Sequence, residues 1–141
     1  DLILAADDAQ FSDPVARMGI GGVEYHGHTW ELGARKAKEL LFTGQFIDAA
    51  EAHRLGMVNR VVPRAELEKH TLELAAQIAE MDPFALRMAK QAVNRTLDAM
   101  GQWQAMQAVF DMHHLAHAHS RLSHGGNAIA GQTIASMKSA S

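Results

Sequence analysis

The amino-acid sequence predicts an α/β fold in which short strands come first and long helices follow. Apolar runs of strand length lie within residues 1–63, whereas helical spacing of apolar residues dominates residues 64–119. Of the 141 residues, 48% are hydrophobic and 21% are charged, a balance typical of an ordinary domain large enough to bury a core. We therefore predict a strand-containing core over residues 1–63 and a helical region over residues 64–141.

The first part of the chain predicts two strands, a loop and a helix. Residues 2–6 have the pattern of a buried strand, and residues 9–12 that of a second one. Pro14 then interrupts regular pairing, because proline has no backbone donor. A glycine-rich loop follows, and Thr29 is predicted to cap a helix that ends near Gly44.

Capping signals define the middle of the chain. Asp48 is a predicted N-cap, with Glu51 three residues further on, and Gly56 is expected to end that short helix. Residues 57–62 then have the composition of a strand, which Pro63 closes.

Three longer helices are predicted after this strand. The first carries one apolar stripe: Leu67, Thr71, Leu74, Ala75 and Ile78. Asp82 and Pro83 give a cap-plus-proline start to the second, which Gly101 ends. The third spans about residues 102–119.

Composition disfavours several classes of function. The net charge is -3 with no basic cluster, so we predict no nucleic-acid partner. No apolar run approaches the roughly 20 residues of a membrane span, and the first residues lack a signal-peptide pattern. Cysteine is absent, which excludes a disulfide or a thiolate nucleophile and leads us to expect a reducing, cytoplasmic location.

Two segments resemble the helix-strand-helix signature of the enoyl-CoA hydratase/isomerase, or crotonase, family: LLFTGQFIDAAEA at residues 40–52 and GMVNRVVP at residues 56–63. Residues 1–6, 9–11 and 88–94 are also similar to family segments, so the resemblance covers most of residues 1–100. It implies the C-terminal half of a subunit. Residues 1–63 would then be the end of the family's strand-strand-helix spiral, and residues 64–141 a helical oligomerisation region.

The resemblance also implies a function. Family enzymes act on an acyl-CoA thioester whose carbonyl is polarised by two backbone N–H groups, which stabilise an enolate-like state. It implies no metal or redox cofactor, with coenzyme A as part of the substrate, and a homo-oligomer, a trimer or hexamer. The oxyanion-hole segments of the family lie upstream of Asp1, so we expect an active parent polypeptide and an inactive isolated chain.

One position departs from the family's hydratase pattern. The second hydratase glutamate follows the proline that Pro14 matches, and here Val15 occupies that place. Valine cannot transfer a proton, so two-glutamate hydration is not simply inherited. An isomerase, which needs a single acid/base, is therefore the alternative to a hydratase. A non-catalytic CoA-binding or assembly module is a further alternative, from a different class.

The loop that follows supplies the candidate site residues. Glu24 is the first candidate for a general acid/base, because some isomerases of the family use an acidic residue from this loop; its other reading is a solvated carboxylate. His28 and Asp13 are secondary catalytic candidates, although each is also in a position suited to capping. We expect the substrate to be lined by four further residues: Val15, Gly21, Gly22 and Tyr25.

A cluster of histidines lies near the end of the third long helix. His113 and His117 are four residues apart and share a helix face. His114 occupies the position at which the familiar zinc motif has its glutamate, and no third ligand is evident. We therefore predict no metal site and interpret the cluster as a polar or inter-subunit face.

Overall fold

The chain alternates short strands with helices and then becomes entirely helical. The computed structural model describes residues 1–21, 25–129 and 131. In chain order the elements are β1 (Leu4–Ala6), β2 (Gln10–Phe11), α1 (His28–Thr43), β3 (Ile47–Asp48), α2 (Ala49–Arg54), β4 (Arg60–Val62), α3 (Leu67–Ala79), α4 (Pro83–Ala99) and α5 (Gln102–Ser123), with a 3-10 turn at Arg64–Glu66 before α3. The predicted order of elements is confirmed except for β3, which was not predicted.

Two strand pairs connect distant parts of the sequence. β1 and β4 pair in parallel, with Ala5 opposite Val61, and β2 and β3 pair antiparallel, with Phe11 opposite Ile47. The predicted strand over residues 57–62 is shorter than expected and begins only at residue 60. The reason is local, because the amides of Met57 and Val58 donate to the carbonyl of Ala52, at 3.0 and 3.3 Å, and so continue the end of α2.

The predicted caps of α2 and α4 are confirmed. The Asp48 side chain accepts from the Glu51 amide at 2.7 Å, and the Asp82 side chain accepts from the Ala85 amide at 2.8 Å. Gly56 follows α2 with φ 87°, and Gly101 follows α4 with φ 91°. Both glycines adopt a left-handed conformation that costs other residues energy.

The predicted start of α1 was wrong by two residues. Gly27, not Thr29, is the N-cap, and no side chain caps the helix there. α1 also bends at Gly33, whose φ of 73° and ψ of 154° are not helical. Its predicted end is confirmed, since Gly44 adopts φ 61° and donates its N–H to the Leu40 carbonyl at 2.7 Å.

Backbone contacts divide the chain into two units. The first joins residues 1–11 to residues 47–103, and its buried hydrophobic side chains are small or aliphatic: Ala5, Ala6, Ile47, Ala49, Ala52 and Val58. The second joins residues 12–46 to the described part of residues 104–141. Its core cluster centres on Val15 and Ile20 and includes Met18, Leu41 and Ala116. The division predicted at residues 63 and 64 stays a prediction.

The later helices of the first unit leave much apolar surface uncovered. Neither α3 nor α4 contains a fully buried residue, and on α4 the side chains of Phe84 and Val93 are 60% and 61% exposed. On the predicted stripe of α3, Leu67, Leu74 and Ile78 are half-buried, whereas Thr71 and Ala75 are exposed. Within the described residues, none of the helices combines the length and apolarity that crossing a membrane requires.

Candidate active site

The loop after β2 folds back on itself in a short helical turn. The Met18 amide donates to the Pro14 carbonyl at 3.2 Å, and the Ile20 amide donates to the Val15 carbonyl at 3.1 Å. Gly19 has φ 77°, which lets the chain reverse there at little cost. This turn directs Val15 and Ile20 into the core of the second unit. Asp13 directly precedes the turn.

Asp13 and His28 are in polar contact across this loop. Asp13 Oδ2 lies 3.0 Å from His28 Nε2, and the two side chains are 28% and 18% exposed. His28 is the first residue of α1, so the helix fixes its backbone while the loop brings the carboxylate to its ring. His28 Nδ1 is buried and has no hydrogen-bond partner among the residues described. The pair thus combines a carboxylate with an imidazole that keeps one nitrogen unengaged.

His26 lies beside this pair but has a different environment. Its ring centroid is 5.4 Å from that of His28, and its Nε2 hydrogen-bonds the Thr29 hydroxyl at 3.1 Å. Burial lowers the pKa of His26 below its usual 6.5, and a positive charge on His28 lowers it further, while the Asp13 carboxylate opposes both effects. His26 therefore favours its neutral form next to the Asp13–His28 pair.

Val15 belongs to the apolar core of the second unit. Its side chain is only 8% exposed and clusters with Ile20, against which Met18, Leu41 and Ala116 pack. The residue predicted to match the position of the family's second hydratase glutamate thus lies among apolar side chains. Its predicted role in lining the substrate stays a prediction.

The remaining predicted loop residues divide into two groups. Tyr25 is 65% exposed, and its ring lies against Gly27, where a Cβ atom would come within 2.9 Å of Tyr25 Cε1. Gly21 is exposed, with open space where a Cβ would stand. Glu24 and Gly22 lie outside the described residues, so their predicted roles stay predictions.

Three histidines of α5, His113, His114 and His117, have ring contacts with each other or with Phe110. The rings of His113 and His117 are 4.5 Å apart and nearly perpendicular, as are those of Phe110 and His114. His117 Nδ1 donates to the Ala128 carbonyl at 2.8 Å, which commits that nitrogen to a structural bond. Across residues 1–21, 25–129 and 131, no three His, Cys, Asp or Glu side chains are grouped as metal ligands.

The pairing of Asp13 with His28 was missed by sequence reasoning. Both residues were individual candidates, but the glycine-rich loop of residues 14–27 separates them and no periodic pattern relates their side chains. The available signal was chemical: an aspartate before a proline and a histidine before a helix lie at the two ends of one loop. Loop geometry is what sequence patterns specify least.

Comparisons with known proteins identify the class to which this fold and loop belong. The family model described as enoyl-CoA hydratase/isomerase matches residues 1–132. EchA13 of Mycobacterium tuberculosis is 51% identical over 120 residues, which are 84% of this chain and 38% of that protein. The short-chain-enoyl-CoA hydratase of Clostridium acetobutylicum is 39% identical over 99 residues, covering 67% of this chain and 37% of the relative. The chain therefore spans less than half the length of these relatives.

Solved structures agree with the sequence comparisons. The crystal structure of a probable enoyl-CoA hydratase from Mycobacterium smegmatis matches 92% of this chain with a TM-score of 0.89 and 64% identity, and the match covers 53% of that chain. An enoyl-CoA hydratase/isomerase from Xanthobacter autotrophicus matches 82% of this chain with a TM-score of 0.78 and 32% identity, over 43% of that chain.

The chain belongs to the enoyl-CoA hydratase/isomerase family. This confirms the resemblance found in residues 40–63, and the structural matches confirm the predicted crotonase-like α/β fold followed by a helical region.

Proposed function

We propose that the natural-length polypeptide carrying this chain is an enoyl-CoA hydratase/isomerase-type enzyme that acts on an acyl-CoA thioester. The observation that carries the proposal is the family match over residues 1–132, which includes the complete loop from Asp13 to His28. Within that loop the Asp13–His28 pair supplies a carboxylate and an imidazole, side chains suited to moving a proton. The oxyanion hole would come from segments upstream of Asp1.

Isomerisation is the second candidate reaction, and Val15 favours it. Hydration in this family uses a second carboxylate at that position, and here the side chain is aliphatic and packed in a core. Moving a double bond needs one group that removes a proton and returns it elsewhere, with no activated water. Glu24, the acidic residue of the loop, remains a proposed acid/base for this reaction.

The proposed assembly is a homo-oligomer, a trimer or hexamer, that uses the later helices. The support is the apolar surface of α4, where Phe84 and Val93 are more than half exposed, as is Met100 directly after the helix. Large uncovered apolar faces are characteristic of association surfaces. We propose no metal or redox cofactor, with coenzyme A entering as part of the substrate, and a cytoplasmic location for this cysteine-free chain.

Isothermal titration calorimetry tests the substrate class. The natural-length protein is titrated with butyryl-CoA, with the matching pantetheine thioester and with free butyrate. We expect saturable binding of the CoA thioester, weaker binding of the pantetheine thioester and no binding of the free acid. If butyryl-CoA produced no binding heat, and equilibrium dialysis detected no binding either, the proposed function would be wrong.

A further inference from the structure

We propose that His28 Nδ1 exchanges a proton with the α-carbon of the bound acyl-CoA thioester, and that Asp13 positions the His28 ring for this transfer. The proposal rests on the proposed function and names the proton-transfer group within it. It applies to both candidate reactions, because hydration adds a proton at the α-carbon and isomerisation of a 3-enoyl thioester removes one.

The contact with Asp13 indicates which ring nitrogen is the base. An ionised carboxylate presents only acceptor lone pairs, so the 3.0 Å distance from Asp13 Oδ2 to His28 Nε2 favours a proton on that nitrogen over a lone pair facing the carboxylate. A neutral imidazole carries one N–H, and its other nitrogen then holds an acceptor lone pair. When the proton is on Nε2, facing Asp13, that lone pair belongs to Nδ1. A carboxylate that fixes the tautomer of a catalytic histidine in this way is the logic of hydrolase triads.

The environment of Nδ1 points to a bound ligand. Buried polar atoms in folded proteins nearly always have a hydrogen-bond partner, and exceptions concentrate where a ligand or a reaction supplies one. His28 Nδ1 is buried and lacks a partner among the described residues.

The neighbouring described groups are less suited to this task. Val15 has no titratable atom, and Tyr25 is 65% exposed with its ring against Gly27. His26 already engages Nε2 with the Thr29 hydroxyl. Among these loop residues His28 therefore has the best combination of basicity, burial and a fixed orientation.

The proposed step conserves atoms and electrons. The Nδ1 lone pair takes the α-proton, and the C–H bonding pair becomes the enolate, with its negative charge on the thioester oxygen. Return of the proton from Nδ1–H to the α-carbon restores the starting thioester. Return to the γ-carbon of a dienolate, formed from a 3-enoyl thioester, gives the 2-enoyl product. No oxidant, reductant or co-reactant is consumed.

Exchange of the α-proton of butyryl-CoA in D₂O isolates this step, because a saturated acyl chain can be neither hydrated nor isomerised. Mass spectrometry follows deuterium uptake by the natural-length protein and its His28→Gln variant. Glutamine retains a polar group near the Nε2 position and lacks a basic Nδ1. We expect exchange to fall by about 100-fold or more, as for loss of a general base, with butyryl-CoA affinity within about threefold. His119→Gln, the same change at an exposed position of α5, is the matched control and should exchange normally.

Asp13 is tested by conservative and non-conservative variants and by a spectroscopic signature. We expect Asp13→Asn to reduce the exchange rate at saturating butyryl-CoA while the half-saturating concentration changes little, and Asp13→Glu to restore part of the rate. Long-range ¹H–¹⁵N correlation spectra should place the proton of neutral His28 on Nε2 in the unaltered protein. Asp13→Asn should remove that preference, which a purely structural role of Asp13 would not require.

Several outcomes would overturn the proposal. Exchange that persists in His28→Gln, or a native His28 that carries its proton on Nδ1, excludes Nδ1 as the base. Butyryl-CoA binding without any exchange in the unaltered protein also excludes it and leaves acyl-CoA binding intact. If the protein does not bind butyryl-CoA, the proposed function itself is wrong. Failure of the proton-transfer proposal can therefore be distinguished from failure of the proposed function. The tautomer measurement uses the unaltered protein and decides the case if His28→Gln does not fold.

Discussion

Replacing Val15 with glutamate supplies the carboxylate that the family's hydratases have after this proline, but the structure predicts a destabilised protein. Val15 is 8% exposed and lies among Ile20, Met18, Leu41 and Ala116. Losing a buried valine costs about 1.5–3 kcal/mol, and burying a polar group without a partner costs roughly a further 1–3 kcal/mol. We therefore expect the free energy of unfolding to fall by about 2.5–6 kcal/mol, and burial to raise the pKa of the new carboxyl.

Urea unfolding followed by circular dichroism measures this loss. Val15→Ala is the control for lost apolar burial and should cost about 2 kcal/mol, since it removes two methyl groups and leaves a small cavity. Val15→Glu should cost clearly more. A Val15→Glu protein that is as stable as Val15→Ala and hydrates 2-enoyl-CoA faster than the unaltered protein would refute the core position of Val15. It would instead place this side chain against the substrate.

Three further predictions concern the loop, the caps and the helices. NMR titration should give His26 a pKa below 6.5. The contribution of His26 to stability is then complete above pH 6.5 and is lost as the pH falls through the lowered pKa of the folded protein. His28→Gln should raise the His26 pKa, and an unchanged pKa would contradict the effect assigned to the His28 charge. In thermal unfolding, Gly44→Ala should destabilise the protein more than Gly56→Ala. Both glycines have positive φ, but only at Gly44 would the new Cβ meet a side chain, that of Arg17 at 2.9 Å. Equal losses of stability in the two variants would contradict this contact. Light scattering should show an oligomer that Val93→Asp weakens by placing a charge on the exposed face of α4, and a monomeric unaltered protein would contradict the proposed assembly.

Local signals in the sequence predicted much of the fold because the relevant interactions are local. Asp48 and Asp82 are caps because a short acidic side chain reaches the amide three residues on, and Gly44 and Gly101 end helices because they tolerate positive φ. The short extent of β4 was not predictable in the same way. It depends on amides that bond to the end of α2 instead of a neighbouring strand.

The site was less predictable than the fold. Asp13 and His28 were each recognisable as chemically capable, but their contact depends on how the loop of residues 14–27 returns to the start of α1. The start of that helix was itself misplaced, because Thr29 has the composition of a cap while its hydroxyl bonds to His26. The aliphatic surroundings of Val15 likewise depend on tertiary packing, including Ala116 from a distant helix.

Product analysis tests the central claim, that the natural-length protein transforms an acyl-CoA thioester, most directly. The purified protein is incubated separately with a 2-enoyl-CoA and a 3-enoyl-CoA, and the products are separated and identified by mass and by NMR. Turnover of either substrate supports the claim, since hydration adds the mass of one water and isomerisation moves the double bond without a mass change. Recovery of both thioesters unaltered, by a folded protein that binds them, would contradict it and would favour a non-catalytic CoA-binding module.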